Sequence, residues 1–338
     1  MYDILIVGAG LTAATLCASL KHKYKICVVD VRDHIAGNCF DYKFSSTFVH
    51  RYGPHFFHSA DKSVVDFISQ YTEWNEYQHS VYAEINYRNK LYKVPFPYSK
   101  ETEAIIGNLN TDEVIDTFFR AYSTKMWNSQ WEQLPDMIKN RVSKNTLEKS
   151  IYFENQFCGL PKHGYTRMIE NMIDGVDVLL GLGEDEWREI PSKVVFYGGR
   201  IDRILLPNGL RLGDYGKCWL NFRNLDIKIT TDHLWSVPSS VLNYCHLGKA
   251  ETRITNYAKM YNTTTDVFTI ETPKEASITD ISPFYPIPYP ENYKKYNGLK
   301  KLLENIMPNV TLVSRLGSYK YIDMDQCVSQ AMILSKKY

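Results

Sequence analysis

Tyr2-Asp-Ile-Leu-Ile-Val-Gly8-Ala-Gly10-Leu-Thr-Ala13 reads as a short buried strand running into a glycine-rich turn. Leu11 to Leu20 continues as a helix, and Lys25-Ile-Cys-Val-Val-Asp30 follows as a second strand. Strand, turn, helix and strand in this order are the front of a dinucleotide-binding unit. Gly8 allows the tight turn, Gly10 lets backbone approach a pyrophosphate, and the helix N-terminus offers free N–H groups and the positive end of its dipole. Asp30 closes the second strand, where an acidic side chain can bond a ribose hydroxyl. Ala13, at the usual third glycine, is small enough for close helix–strand packing.

The rest of the composition narrows the class. The chain has 338 residues, 44% apolar and 23% charged, which suits two or three packed units of ordinary globular character. A net charge of +1 gives no bulk attraction for nucleic acid or a membrane surface. Cys17, Cys27, Cys39, Cys158, Cys218, Cys245 and Cys327 are scattered, odd in number and never spaced C-x-x-C, so free thiols in a reducing compartment are expected, with no metal site. The first apolar run, Ile4 to Val7, is too short for a signal peptide or membrane span, and a cytoplasmic location is expected. The 25 tyrosines are an unusual supply of flat faces with hydroxyl tips.

Beyond Asp30, Arg32 and Gly37-Asn38 are placed to sit beside a bound dinucleotide. Tyr52-Gly-Pro-His55 is a rigid turn leading into aromatics, Ser63 to Tyr71 reads as a helix, and Ser80 to Phe96 as a β-hairpin. Thr111 to Met126 has helical spacing with an aromatic face of Phe118, Phe119 and Tyr122, and Pro135 to Asn145 is a second helical piece. Val176 to Gly181 and Lys193 to Gly199 read as strands returning to the first unit. Gly181-Leu-Gly183 is rejected as a second nucleotide site, because Glu184, Asp185 and Glu186 would repel a phosphate. Trp219 to Thr231, Val241 to Tyr244 and Val267 to Glu271 are expected in an antiparallel sheet. Leu299 to Ile306 and Cys327 to Leu334 are expected helices, with a strand at Val310 to Arg315.

Taken together, the ordered motifs resemble the UDP-galactopyranose mutase family. They run from Gly8-x-Gly10 through Ile35-Ala-Gly37-Asn38, Tyr52-Gly-Pro-His55, Tyr122-Ser-Thr-Lys-Met-Trp127, Leu134-Pro135 with Arg141, Tyr152-Phe153 and Gly159-Leu-Pro. They continue through Tyr197-Gly-Gly-Arg-Ile-Asp202, Thr252-Arg-Ile254, Ile270-Glu271 and Phe284-Tyr-Pro286, and end at Arg315-Leu-Gly-Ser-Tyr319-Lys-Tyr321-Ile-Asp323-Met324. The resemblance implies an α/β protein: a Rossmann-like FAD-binding domain (1–78, 158–202 and 298–338), an inserted small helical domain (98–157) and an antiparallel sheet domain (79–97 and 203–297). It implies an isomerase that interconverts UDP-galactopyranose and UDP-galactofuranose, with reduced FAD as nucleophile through a flavin N5–sugar adduct. An external reductant for the flavin follows from this, and a homodimer is one open outcome for the assembly.

The resemblance also distributes roles. Arg141 and Arg315 match the diphosphate clamp, since arginine offers a bidentate cationic fork. Arg253 matches a third arginine near flavin and substrate, and His55 a histidine whose loop lies over the flavin. Tyr152, Tyr285 and Tyr321 match phosphate-reaching hydroxyls. Tyr122, with Phe118 and Phe119, matches the uracil platform, Trp127 borders the sugar, and Asp323 is an acid near the site. Gly8, Gly10, Leu11, Thr12, Asp30, Arg32, Gly37, Asn38, His55, Arg315, Asp323 and Met324 are the expected cofactor contacts, and the helix opening at Met324 points toward the flavin's pyrimidine edge.

Several positions depart from the family pattern. Ala13 and Ala36 replace glycines, Val313-Ser314 replaces a Gly-Gly pair, and Arg200 replaces a proline. Asn256-Tyr257 replaces a Glu-His pair and is expected close to the sugar. The stretch from Phe96 to Thr117 is short, and Gln156 to His163 is expected to move on binding. Mutase chemistry on another UDP-sugar such as UDP-arabinopyranose, an FAD-dependent oxidoreductase, and a non-catalytic nucleotide-sugar binder are the alternatives.

Overall fold

The computed structural model describes residues 1–153, 156–205, 220–277 and 279–338. Its organising element is a parallel five-stranded sheet, ordered in space Asp177–Leu180, Ile26–Asp30, Tyr2–Val7, Ser192–Tyr197 and Val310–Leu312. The near-continuous apolar runs of these strands have the physical cause that both sheet faces are covered. Alternation sends Ile4 and Ile6 into one core, with Leu16, Met168, Met172 and Val328. It sends Leu5 into the other, with Val195, Leu299, Leu303 and Tyr319. The helices Leu11–Leu20, Gly164–Ile173 and Met324–Ser335 contribute to the first of these cores.

The Gly164–Ile173 helix is anchored by one buried carboxylate. Asp41 accepts the Tyr165 and Thr166 backbone N–H groups at 2.7 and 2.8 Å, satisfying donors that a helix start leaves unpaired.

A second sheet of seven strands runs Tyr285–Pro286, Phe222–Thr230, Phe268–Glu275, Arg253–Asn256, Val241–Tyr244, Val81–Tyr87 and Lys90–Phe96. All its pairings are antiparallel except one. The early hairpin joins the later strands through a parallel contact, Val241–Tyr244 against Val81–Tyr87, so the sheet is mixed where the sequence alone suggested antiparallel pairing throughout. Short helices at Lys100–Ile106, Thr111–Val114, Ala121–Trp127 and Asp136–Lys139 form the inserted helical part. It buries Phe118, Phe119, Trp127 and Ile138 against Val81, Ile85, Phe96 and Leu225 of the sheet.

Four expectations are redrawn. Ile115–Arg120 is a π-helical turn inside the expected single helix, and this widening falls on Phe118 and Phe119. The helix expected from Leu299 starts at Pro290, where proline's fixed φ and missing N–H suit the first turn. Pro135 to Asn145 is helical only over Asp136–Lys139. Phe157–Pro161 is the central strand of a small sheet, paired with Phe57–Ser59 on one side and Trp74–Glu76 on the other. Hydrogen bonds on both edges pin most of the Gln156 to His163 stretch, which argues against its motion. Trp219, expected to open a strand, lies outside the described residues; the strand begins at Phe222. No described helix is long and apolar enough to cross a membrane.

Candidate active site

The C-terminal ends of Tyr2–Val7 and Ile26–Asp30 open into a cleft. Its wall includes Gly8, Gly10, Leu11, Thr12, Asp30, Arg32, Gly37, Asn38, His55, Arg315 and Met324. Two glycines meet here back to back: a Cβ on Gly37 would lie 3.1 Å from the Gly10 Cα, so side chains are kept out of the turn. Gly10 caps the Leu11–Leu20 helix with no side-chain hydrogen bond and no acid stands in the first turn, which leaves N–H groups for an anion. Asp30 braces the turn, its two oxygens accepting the Ala9 and Arg32 backbone N–H groups at 2.7 and 2.9 Å. A carboxylate retains further lone pairs, and Asp30 still lines the cleft. Arg32 donates to Asn38 Oδ1 and lies over the Tyr52 ring. These features fit an elongated dinucleotide.

Two of the departures from glycine, Ala36 and Ser314, keep a backbone that favours glycine. Ala36 has φ 73° and Ser314 φ 65°, both left-handed, so the turn shapes persist although the residue types differ. The Ser314 hydroxyl donates to the Gly198 carbonyl at 2.9 Å. Leu182, Gly183 and Glu184 also line this cleft, so the rejected Gly181-Leu-Gly183 segment borders the same space and not a separate one. The Glu184 charge is matched by Arg203, with which it pairs. Arg200 is fully buried in a two-point pair with Asp202 and donates to the Asp280 carbonyl.

A second cavity lies between the seven-stranded sheet and the helical part. Phe118, Phe119, Tyr122, Trp127, Arg141, Tyr152, Arg253, Tyr285, Tyr321 and Asp323 all line it. His55, Arg315 and Met324 line both spaces, so the two meet at a seam. Asp323 lines the second cavity and not the first; it caps the Met324–Ser335 helix with Gln326 and accepts from Arg141 at 2.8 Å. Trp127, Tyr285 and Tyr321 form an aromatic corner with edge-on contacts between 5.4 and 6.3 Å. The Arg141 guanidinium lies over the Tyr321 ring.

The three arginines are held differently. Arg315 donates to the carbonyls of Ile322 and Phe284, so its guanidinium is anchored to backbone at the seam. The Arg253 side chain makes no hydrogen bond among the described residues; its Nε lies 3.3 Å from Glu271 Oε2, in ion contact without an aligned bond. Burial by itself would lower its pKa, but Glu271 and the surrounding tyrosines raise it, and the charge stays fixed. Burial pushes Tyr152 and Tyr285 up to about 12, so both keep a donating O–H at neutral pH.

His55 donates through Nδ1 to the Gly53 carbonyl at 2.9 Å, which leaves Nε2 as an acceptor. Burial and the nearby Arg315 lower its pKa to about 4. His79 is lowered to about 3 by burial and by Arg253, and His50 is lowered by burial and His55. The sign follows from linkage: above pH 6.5 both folded and unfolded forms are neutral, whereas below it the unfolded chain takes up protons that the folded chain refuses. Stability should therefore fall between pH 6.5 and 4, by roughly 3 kcal/mol at pH 4 from buried His79 alone. Urea unfolding at pH 7, 5.5 and 4.5 measures this, and a flat profile would remove the assignment of these histidines as neutral.

Asn256 and Tyr257, expected near the sugar, do not line the cavity. Asn256 caps the Tyr257–Tyr261 helix, and Tyr257 is fully buried with its hydroxyl near Thr269 Oγ1. Residues that sequence reasoning gave no role do line it: His79, Asn243 and Glu271. The signal for the last two was strand alternation, since Asn243, Arg253 and Glu271 stand opposite one another on adjacent strands. Among the described residues, no group of three or more His, Cys, Asp or Glu could hold a metal ion.

Comparison with known proteins agrees with this architecture. A family model described as UDP-galactopyranose mutase matches residues 117–321, and one for an NAD(P)-binding Rossmann-like domain matches 6–71. The chain is 29% identical to a probable UDP-galactopyranose mutase of Klebsiella pneumoniae, covering 98% of this chain and 93% of that protein. It is 29% identical to the UDP-galactopyranose mutase of Mycoplasma genitalium, over 97% and 92%. A dTDP-fucopyranose mutase of Escherichia coli is 25% identical over 100% and 98%. The crystal structure of a reduced UDP-galactopyranose mutase superposes with a TM-score of 0.73 at 13% identity, covering 99% of this chain and 95% of that one, and shares the fold. With a Rossmann-like dinucleotide unit opening onto a cationic, aromatic cavity, and a family match over well over half its length, the chain belongs to the UDP-galactopyranose mutase family, a family of isomerases.

Proposed function

We propose that this protein interconverts the pyranose and furanose forms of a nucleotide-linked sugar, UDP-galactose first, with reduced FAD in the cleft. The observation that carries the reading is the seam: His55, Arg315 and Met324 line both the dinucleotide cleft and the substrate-side cavity, so a ring held in one faces a sugar held in the other. The reduced flavin, when bound, supplies the nucleophile for the anomeric carbon. Gly8, Gly10, Gly37, Leu11 and Thr12 would hold its diphosphate, and Asp30 its ribose. Arg32 and Asn38 would flank it, with His55, Arg315 and Met324 beside the ring.

The chain's own residues bind, orient and balance charge. Arg141 and Arg253 grip the diphosphate. This revises the expected pairing of Arg141 with Arg315, because the Arg315 guanidinium is anchored on carbonyls at the seam whereas Arg253 has none. The Tyr152, Tyr285 and Tyr321 hydroxyls donate to phosphate oxygens as negative charge builds on the leaving group. Phe118, Phe119 and Tyr122 offer flat faces to the base, and Trp127 closes the sugar end. His55, neutral at working pH, adds no positive charge beside the ring.

The test is anaerobic incubation of the dithionite-reduced holoprotein with UDP-galactofuranose. Appearance of UDP-galactopyranose supports the reading, and no conversion by reduced protein overturns the galactose assignment. A second reading keeps the chemistry on another sugar nucleotide, favoured by the similarity to a dTDP-fucopyranose mutase across the whole chain. Parallel turnover of dTDP-fucofuranose and UDP-arabinopyranose decides between them.

A further inference from the structure

Glu271 sets a carboxyl group, which burial pushes toward the neutral form and Arg253 pulls back toward the anion, into the wall of a cavity built to receive a negative ligand. It is 2% exposed, faces the cavity and stands directly across the strand pair from Arg253. Its Oε2 is the atom in ion contact with Arg253 Nε at 3.3 Å, while Oε1 has no hydrogen-bond partner among the described residues. That oxygen sits under the Tyr52-Gly-Pro-His55 turn, where a Cβ on Gly53 would lie 3.2 Å away. Hence one carboxylate touches the cavity arginine on one side and the turn carrying His55 on the other. A fold that needed only a stable core would place an apolar residue here, since a buried ion pair rarely outdoes one.

We propose that Glu271 is a built-in counter-anion of the diphosphate subsite, a positioning residue that aims Arg253 through Nε and holds down its affinity for the leaving group. The inference rests on the reading that Arg253 binds the diphosphate. Held on the Nε side, the guanidinium presents its remaining edge to the cavity. An arriving diphosphate meets an arginine whose charge is already partly balanced, and like charges on opposite sides of one guanidinium repel through a poorly screened medium. This matters for a reaction in which the diphosphate must leave and return at the same carbon. Grip that is equally strong before and during departure lowers KM without raising kcat.

The experiment is calorimetric titration of flavin-loaded protein with UDP. Glu271→Gln keeps the size and shape of the side chain beside Arg253 and removes the charge, and should bind UDP about tenfold more tightly than wild type. KM for the UDP-sugar should fall with it, while kcat does not rise. A merely structural role would weaken UDP binding or leave it unmoved, and either result overturns the proposal. Should that variant not fold, Glu271→Met carries the test: with Arg253 kept and the carboxylate gone, it too must bind UDP several-fold more tightly than wild type, and weaker or unmoved binding overturns the proposal. Wild-type UDP affinity in Arg253→Met would instead refute the diphosphate reading, and the proposal with it.

Discussion

Replacing Arg253 with methionine should lower kcat/KM for the UDP-sugar on the order of 10³-fold, about 4 kcal/mol, while flavin remains bound. Methionine keeps much of the packing volume in the cavity wall, so the loss reports charge and hydrogen bonds more than space. Two effects add. The diphosphate loses a charge-assisted fork, and Glu271, 3.3 Å away in the wild type, loses the cation that offsets the burial of its carboxyl group. Arg141→Met should have a smaller effect, because Arg141 is 37% exposed and its Asp323 partner 32%, where water screens both. Arg315→Met should show a different signature. Its guanidinium ties the Ile322 and Phe284 carbonyls at the seam, so flavin retention should suffer along with turnover. Flavin absorbance after gel filtration, together with steady-state kinetics on the reduced protein, separates the three. Wild-type-like turnover in Arg253→Met would refute this division of roles.

What the sequence made legible is local and periodic. The first strand, turn, helix and strand are visible because each has its own signature, and their parallel pairing with Ser192–Tyr197 follows from the buried runs. The hairpin from Val81 to Phe96 is visible because its alternation breaks at Arg88-Asn89, both with positive φ. Other features depend on neighbours that are distant in sequence. Nothing in Ala121-Tyr-Ser-Thr-Lys125 says that the lysine ammonium will cap the carbonyls of Tyr244, Lys249 and Glu251. Nothing in Phe157 to Pro161 says that strands from residues 57–59 and 74–76 will flank it. In the site, the residue types were readable but their partners were not. Arg253 and Arg315 look alike as letters, and only the fold reveals that one is anchored on carbonyls and the other faces a carboxylate. Asn256-Tyr257 illustrates the converse: proximity in sequence to Arg253 placed it near the sugar, yet the strand ends at Asn256 and the chain turns into the core.

Among the described glycines of the chain's second half, Gly317→Ala should be the most damaging single-methyl change. A Cβ at Gly317 would lie 2.5 Å from the Tyr197 carbonyl oxygen and 3.4 Å from that of Gly199. The obstacle is backbone, so no side chain can swing away. The Tyr197 oxygen is also held in place, accepting the Val313 N–H at 2.9 Å, and Gly198 donates to the Val7 oxygen at 2.8 Å. Three backbone segments therefore cross at contact distance behind the cleft: the end of the first strand, Tyr197 to Gly199, and the turn carrying Arg315. A methyl group there must move one of them, and Arg315, two residues away, moves with the turn. The expected loss is about 3 kcal/mol by urea unfolding, with flavin released on gel filtration. Gly298→Ala is the matched control. It lies inside the Pro290–Ile306 helix with no heavy atom within 4 Å of its Cβ position, so alanine should stabilise the protein by about 0.5–1 kcal/mol. If Gly317→Ala instead matched Gly298→Ala in stability and flavin content, the close crossing of these three segments would not be what shapes the cofactor cleft.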